Sequence, residues 1–207
     1  MTWVVVVPVK GTPGAKARLR SLPDRAALAD AFALDTVAAL VAASVVERVV
    51  VVTADAELGA RLAALGAVIV PEIRATAGDP LNAAIVQGAD AARGLAPTAH
   101  LAVVTADLPA LTASQVEGAL HLAERFERSM VPDTQGTGTT MLLARAGVNL
   151  TPQFGPGSRA AHEAAGHIPL MVAAGIRRDV DTPEDLEQAR TLGVGRHTDA
   201  LSPAETT

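Results

Sequence analysis

The chain has 207 residues, 17 Lys+Arg against 22 Asp+Glu, and is 49% hydrophobic but only 2% aromatic, which describes one soluble domain with a single core. A formal charge of −5 and the lack of any Tyr argue against a broad electrostatic grip on nucleic acid or anionic lipid, and against the stacking platforms of single-strand binders. Cys is absent, which removes disulfides, thiolate nucleophiles and Cys-ligated zinc.

The opening MTWVVVVPVK has no positive n-region and no cleavage-site pattern, so it does not read as a signal peptide. Val4 to Val7 is a β-branched run stopped by Pro8, and Arg48 to Thr53, Ala67 to Val70 and Leu101 to Thr105 repeat the pattern. Short runs that are apolar throughout are the signature of buried parallel strands. Between them lie Ala/Leu-rich stretches with helical spacing: Asp24 to Ala43, Ala56 to Leu65, Leu81 to Arg93 and Thr112 to Phe126. The longest apolar stretch, Val37 to Val46, is too short to span a bilayer, and no membrane segment is expected. Strand and helix in alternation imply right-handed crossovers and an α/β doubly wound, mostly parallel sheet. A cytoplasmic enzyme or binding protein is expected.

After Arg128 the rhythm changes. Ser129 to Pro132 and Thr140 to Ala144 lie too close for an intervening helix and predict an antiparallel excursion. A short helix from Ser158, a strand near Arg177 to Val180 and a last helix from Pro183 to Leu192 complete the expected domain, residues 1–192. From Gly193 to Thr207 the sequence has little to bury and reads as a mobile tail.

Val-Val-Thr-Ala-Asp occurs at 51–55 and again at 103–107. Asp55 precedes Ala56-Glu57-Leu58 and reads as a helix N-cap. Asp107 is followed by Leu108-Pro109, which keeps the chain extended where the strand leaves the sheet, and open α/β sheets bind ligands at the carboxyl ends of their strands. The two lysines of the chain, Lys10 and Lys16, fall in one Gly-containing loop directly after the first strand. Lys is a rotatable point charge suited to phosphate oxygens, so this loop is a candidate phosphate cradle, although it is neither a Walker A loop nor a Rossmann fingerprint.

Two further glycine-rich places, Gly136 to Thr140 and Phe154 to Arg159, offer backbone N–H groups, and Ser158 could cap a helix that holds an anion. In Arg177 to Asp185, Asp181 or Thr182 can cap the following helix, with Pro183 at its first position. Asp179 has no such structural use and could meet Asp107 across the crevice. Two carboxylates beside bound phosphates suit Mg²⁺, and Asp181 is counted with Asp107 and Asp179 as the metal set. The five histidines have no zinc-like spacing and are expected at surface or cap positions.

Taken in order, Pro8-Val9-Lys10 with Ala15-Lys16, Asp79-Pro80-Leu81-Asn82, Ala106 to Leu111, Gly136 to Thr139, Phe154 to Ser158 and Asp179 to Pro183 resemble the guanylyltransferases of coenzyme F420 biosynthesis, from about Val4 to Gly195. The resemblance implies a nucleotidyltransferase fold, similar to that of molybdenum-cofactor guanylyltransferase and the sugar nucleotidyltransferases. It also implies transfer of GMP from GTP to phosphoenolpyruvate or 2-phospho-L-lactate, with Lys16 and Asp107 catalytic. By the same similarity Thr139, Gly155 and Ser158 would hold the acceptor, Thr140 being the alternative to Thr139, and Asp107 and Asp179 would hold Mg²⁺. The Ala- and Arg-rich, Lys-poor composition looks like that of a GC-rich genome, and since the resemblance associates the actinobacterial members of the family with phosphoenolpyruvate and the archaeal ones with 2-phospho-L-lactate, it implies phosphoenolpyruvate as the expected acceptor. Lys10 and Lys16 are expected on the triphosphate, and the Asn82 side chain is the expected reader of guanine. Another nucleotidyltransferase of the same fold, or a nucleotide-binding protein without turnover, is the alternative. The sequence does not set an oligomeric state.

Overall fold

The computed structural model describes residues 2–9, 24–73 and 78–201. The first strand, β1 (Trp3–Val9), is buried along its whole length. It is followed by α1 (Arg25–Ala42), β2 (Val46–Thr53), α2 (Ala56–Ala64), β3 (Val68–Pro71), α3 (Pro80–Leu95), β4 (His100–Val104) and α4 (Ala113–Ala123). Then come β5 (Arg128–Pro132), β6 (Thr139–Ala144), α5 (Ser158–Ala164), β7 (Ile168–Pro169), α6 (Pro183–Leu192) and α7 (Arg196–Asp199). Among the described residues the strands form one sheet in the order β3-β2-β1-β4-β6-β5-β7. β1 pairs in parallel with β2 and β4, and β2 with β3, while β6 runs antiparallel between β4 and β5. This is the doubly wound, mostly parallel sheet with the expected antiparallel excursion.

Period-two alternation divides β1 between two cores. Val5 and Val7 face the layer built from Leu34, Val37 and Leu40 of α1, Leu58 and Leu62 of α2, and Val116 and Leu120 of α4. Val4 and Val6 face Ala84, Ile85 and Ala89 of α3, together with Leu150 and Phe154. Both faces of the sheet are covered, which is why its strands read as unbroken Val runs rather than as alternating ones. Among the described residues no helix is long and apolar enough to cross a membrane.

Local chemistry sets the helix starts. Asp55 accepts from the N–H groups of Glu57 and Leu58, Asp79 from Asn82, and Thr112 from Gln115, each satisfying donors that a helix leaves open at its first turn. Thr182, not Asp181, caps α6, in a reciprocal capping box with Asp185 and with Pro183 in the first turn.

Two expectations need correction. Residues 177–180 are not a strand: a 3-10 turn at Ala174–Ile176 leads into irregular chain. The last strand is instead β7, which pairs with β5 at Ser129 and Met130. The segment 177–180 is held by local bonds rather than by a ladder: Arg177 O accepts both the N–H and the hydroxyl of Thr134 (2.9 Å each), the Arg177 guanidinium donates to Pro132 O (3.1 Å) and Asp133 O (2.9 Å), and Val180 N–H donates to Asp107 O (3.1 Å). The stretch from Gly193, read as having little to bury, packs through residue 201 against α1 and buries Thr198 completely. The reason is Asp35, a buried carboxylate on α1 that accepts the N–H groups of His197 (3.0 Å) and Thr198 (2.9 Å).

Candidate active site at the carboxyl ends of the strands

The carboxyl ends of β1, β2, β4 and β5 open on one side of the sheet, and the chain leaving β4 carries Asp107 there. Its backbone is fixed from three directions. Leu108 N–H donates to the buried Thr36 hydroxyl of α1 (3.1 Å), Val180 N–H to Asp107 O (3.1 Å) and Gly195 N–H to Pro109 O (2.8 Å). The tie at Val180 brings Asp179 beside Asp107, as the sequence suggested.

Asp179 is partly buried, and its carboxyl is pushed up to about 7 by burial first and then by the charges of Asp107, Asp181 and Asp133. Crowded acid groups in low dielectric favour the protonated form. A cation among them would reverse that preference, since bound divalent ions are the dominant local charge at such sites. Asp133, which follows β5, is occupied locally: its two carboxyl oxygens accept Thr137 N–H (2.9 Å) and Gly138 N–H (2.8 Å) and so shape the 136–138 turn.

The set of three metal ligands expected from sequence is not assembled as a cage. Among the described residues no group of three or more His, Asp or Glu side chains converges on a point that could hold a metal ion. The donors nonetheless fit Mg²⁺, which takes one or two carboxylates and fills its remaining positions with water and substrate phosphate oxygens.

Of the nucleotide-binding candidates, Lys10 and Lys16 lie outside the described residues. Asn82 is described, and it is committed to the protein. Its Oδ1 accepts Phe154 N–H (2.9 Å), and its Nδ2 donates to Phe154 O (3.0 Å) and Asp79 Oδ1 (3.0 Å). Both Nδ2 hydrogens and one Oδ1 lone pair of Asn82 are thus used within the protein, on the 154 backbone and on Asp79, which favours a structural use of this side chain over the expected reading of guanine. Near the ends of β1, β2 and β3 and the start of α3, a small apolar slot is lined by Pro8, Val9, Val52, Leu81 and Ala84, with the partly buried Glu72 beside them.

The acceptor candidates cluster around the two glycine-rich turns. β6 begins at Thr139, and both of its threonine hydroxyls point into the protein. Thr139 Oγ1 lies 2.9 Å from His162 Nδ1 and 3.6 Å from Met130 Sδ, and Thr140 Oγ1 donates to Ile176 O (2.7 Å). Ser158 is buried, but it is the first residue of α5 rather than its cap. The cap is Gly157, with φ 73°, following Gly155 at φ 134°, two conformations that favour glycine. Arg159 ties this turn to the other one, its N–H donating to Thr137 O (3.2 Å) and its guanidinium to Gly136 O (3.2 Å).

His162 was missed by the sequence reading, which placed the histidines at surface or cap positions. It is fully buried, as His167 and His100 nearly are. Burial and the neighbouring His167 hold its ring neutral, with the pKa lowered to about 4. The available signal was its spacing, one helical turn after Ser158 on the same face.

Comparisons with known proteins decide what this arrangement belongs to. Residues 3–201 match the family described as "Guanylyl transferase CofC like". The chain belongs to that family. A protein of Streptomyces coelicolor named phosphoenolpyruvate guanylyltransferase is 45% identical over 98% of this chain and 96% of its own length. One of the same name from Thermomonospora curvata is 46% identical over 98% and 89%. Among solved structures, a protein of Desulfovibrio desulfuricans G20 described as a nucleotide-diphospho-sugar transferase has a TM-score of 0.63 at 17% identity, covering 90% of this chain and 85% of that one. 4-Diphosphocytidyl-2C-methyl-D-erythritol synthase has a TM-score of 0.58 at 15% identity, covering 92% and 98%. These structures share the fold, and this guanylyl transferase relative presents its candidate site at the same kind of strand-end crevice that open α/β sheets use for ligands.

Proposed function

We propose that the protein transfers GMP from GTP to phosphoenolpyruvate, releasing pyrophosphate, and that it does so in the cytoplasm as a step of coenzyme F420 biosynthesis. 2-Phospho-L-lactate is the second acceptor of the same chemistry, and the names of the relatives favour phosphoenolpyruvate. An oxygen of the acceptor phosphate forms a bond to the α-phosphorus of GTP, and the bond from that phosphorus to the β-phosphate bridging oxygen breaks. The nucleophile is already anionic near neutral pH, so no general base is needed. The obstacle is the approach of two anions, which is met by neutralising charge and fixing alignment.

Asp107 and Asp179, with Asp181 adjoining, are the residues that would hold Mg²⁺. Bound with the triphosphate, that ion supplies charge neutralisation on the phosphate oxygens. Lys10 and Lys16, in the segment directly after β1, serve the triphosphate as compact cations. Gly155, Ser158 and the β6 threonines Thr139 and Thr140 are the residues assigned to the acceptor. For the base, the Glu72 carboxylate, near the ends of β1 and β2 and the start of α3, suits the N1–H and N2–H₂ donors of guanine in place of Asn82.

The observation that carries this reading is the crowding of Asp179 by Asp107, Asp181 and Asp133 at the strand ends, an arrangement that favours a bound cation over structural use. The test is Asp107→Asn. Its circular dichroism and Tm stay near wild type, while Mg²⁺-dependent pyrophosphate release from GTP and phosphoenolpyruvate falls by orders of magnitude. Near wild-type turnover at low Mg²⁺ would refute the assignment.

A further inference from the structure

Two side chains from different elements hold the backbone of two consecutive residues just before the Gly155–Ser158 turn. Asn82, in the first turn of α3, forms a reciprocal amide pair with Phe154, accepting its N–H at 2.9 Å and donating to its carbonyl at 3.0 Å. The orientation of the Asn82 amide is itself fixed, because Nδ2 also donates to Asp79 Oδ1 at 3.0 Å. One residue earlier, Gln153 N–H donates to His162 Nε2 at 2.9 Å. A backbone amide can only donate, so Nε2 is the unprotonated ring nitrogen, and the neutral imidazole carries its proton on Nδ1. That N–H donates to Thr139 Oγ1 at 2.9 Å. The Phe154 ring meets the His162 ring edge-on, with centroids 5.1 Å apart.

α3, α5 and β6 thus converge on residues 153–154. The chain then enters a turn with two positive-φ glycines, Gly155 and Gly157. Glycine restricts its own backbone weakly, so the placement of this turn depends on what holds the chain before it. Neither Asn82 nor His162 is assigned a contact with substrate.

We propose that Asn82 and His162 are positioning residues for the acceptor loop: by clamping the backbone of Gln153 and Phe154 they set where the Gly155–Ser158 turn stands relative to β6. The proposal rests on the reading that this turn takes the three-carbon phosphorylated acid. It assigns Asn82 a role on the acceptor side although the residue sits in the first turn of α3, close to Glu72, and it gives a buried histidine a specific tautomer and a purpose.

The test uses the full-length protein and four variants. Asn82→Ala removes the amide pair. His162→Asn keeps a donor near the Nδ1 position but loses the acceptor for Gln153, whereas His162→Gln keeps an acceptor near the Nε2 position. The fourth variant combines Asn82→Ala with His162→Asn. Expected for Asn82→Ala and His162→Asn is a tenfold to hundredfold fall in kcat/KM for phosphoenolpyruvate, carried mainly by KM, with GTP affinity measured without acceptor unchanged within twofold. His162→Gln recovers most of the loss. The double variant loses less than the product of the singles, because both act on one short stretch of chain.

A second readout does not depend on activity. Amide hydrogen exchange accelerates at Gln153 in His162→Asn and at Phe154 in Asn82→Ala, while β4 and β6 stay protected. Variants with wild-type acceptor kinetics, or with GTP and acceptor parameters falling together, overturn the proposal, as does unchanged exchange at both amides. Wild-type protein that makes no product from phosphoenolpyruvate refutes the functional reading instead, and the exchange data then decide whether the clamp exists.

Discussion

Asp179→Asn should make the metal-free protein more stable at neutral pH and less able to gain stability from Mg²⁺. The Asp179 carboxyl titrates near 7 in the folded protein, against an ordinary value of 3.8. A folded-state value above the unfolded one means that the folded chain keeps its proton to higher pH. The cost of ionising Asp179 is therefore absent below about 4, grows between about 4 and 7, and is fully present above 7. A rise of that size corresponds to roughly 4 kcal/mol at most. Partial exposure and local relaxation reduce this to about 1–3 kcal/mol. For a chain of this size that is a Tm rise of roughly 2–10 °C, seen in EDTA at pH 8 and vanishing near pH 4. His162 gives the opposite slope: its folded value of about 4 lies below the ordinary 6.5, so its contribution is complete above 6.5 and is lost as pH falls toward 4. Removing Asp179 should expose that acid destabilisation more clearly. Differential scanning calorimetry across pH, with EDTA and with Mg²⁺, checks all of this. An Asp179→Asn variant that is no more stable than wild type at pH 8 in EDTA, or that gains as much from Mg²⁺, would refute the reasoning.

Thr36→Val removes the hydroxyl that accepts Leu108 N–H, leaving a buried donor unsatisfied at a cost of about 1–3 kcal/mol; it should also raise the Mg²⁺ concentration needed for half-maximal turnover, with Thr36→Ser restoring both. A Thr36→Val variant that is destabilised but needs no more Mg²⁺ shows that the bond does not position Asp107. Glu72→Gln should lower kcat/KM for GTP by roughly tenfold to hundredfold, the usual loss for a hydrogen bond to a charged group, and narrow the preference over other nucleoside triphosphates in a competition assay. Unchanged nucleotide preference removes Glu72 from the base site.

The strands were legible because both faces of the sheet are covered, which leaves runs such as Val4 to Val7 that have no other reading. Asp55, Thr182 and Pro183 announced their helix starts through local chemistry alone. The errors share a cause, which is that a polar residue's partner is not written beside it. Asn82 was visible as part of a motif, but its partner Phe154 stands 72 positions away. Asp35 is buried on α1, and its partners are backbone N–H groups 162 and 163 residues later. Arg177 to Val180, expected as a strand, is not one. The chain there is satisfied by local bonds to Thr134 and Asp107 rather than by a ladder. At the site, the place of Asp107 was legible from the strand that precedes it, and Asp179 comes beside it through the Val180 N–H bond to Asp107 O although 177–180 is not a strand, whereas the burial of His162 depends on how α5 settles over β6.

The most direct test of the proposed activity is one competition reaction: purified protein, Mg²⁺, equal GTP, ATP, CTP and UTP, and equal phosphoenolpyruvate, 2-phospho-L-lactate and a sugar 1-phosphate, followed by product mass and pyrophosphate. The expected result is enolpyruvoyl-diphosphoguanosine as the dominant product, with one pyrophosphate formed for each. A sugar nucleotide as the dominant product, or nucleotide binding with no pyrophosphate released, would contradict it.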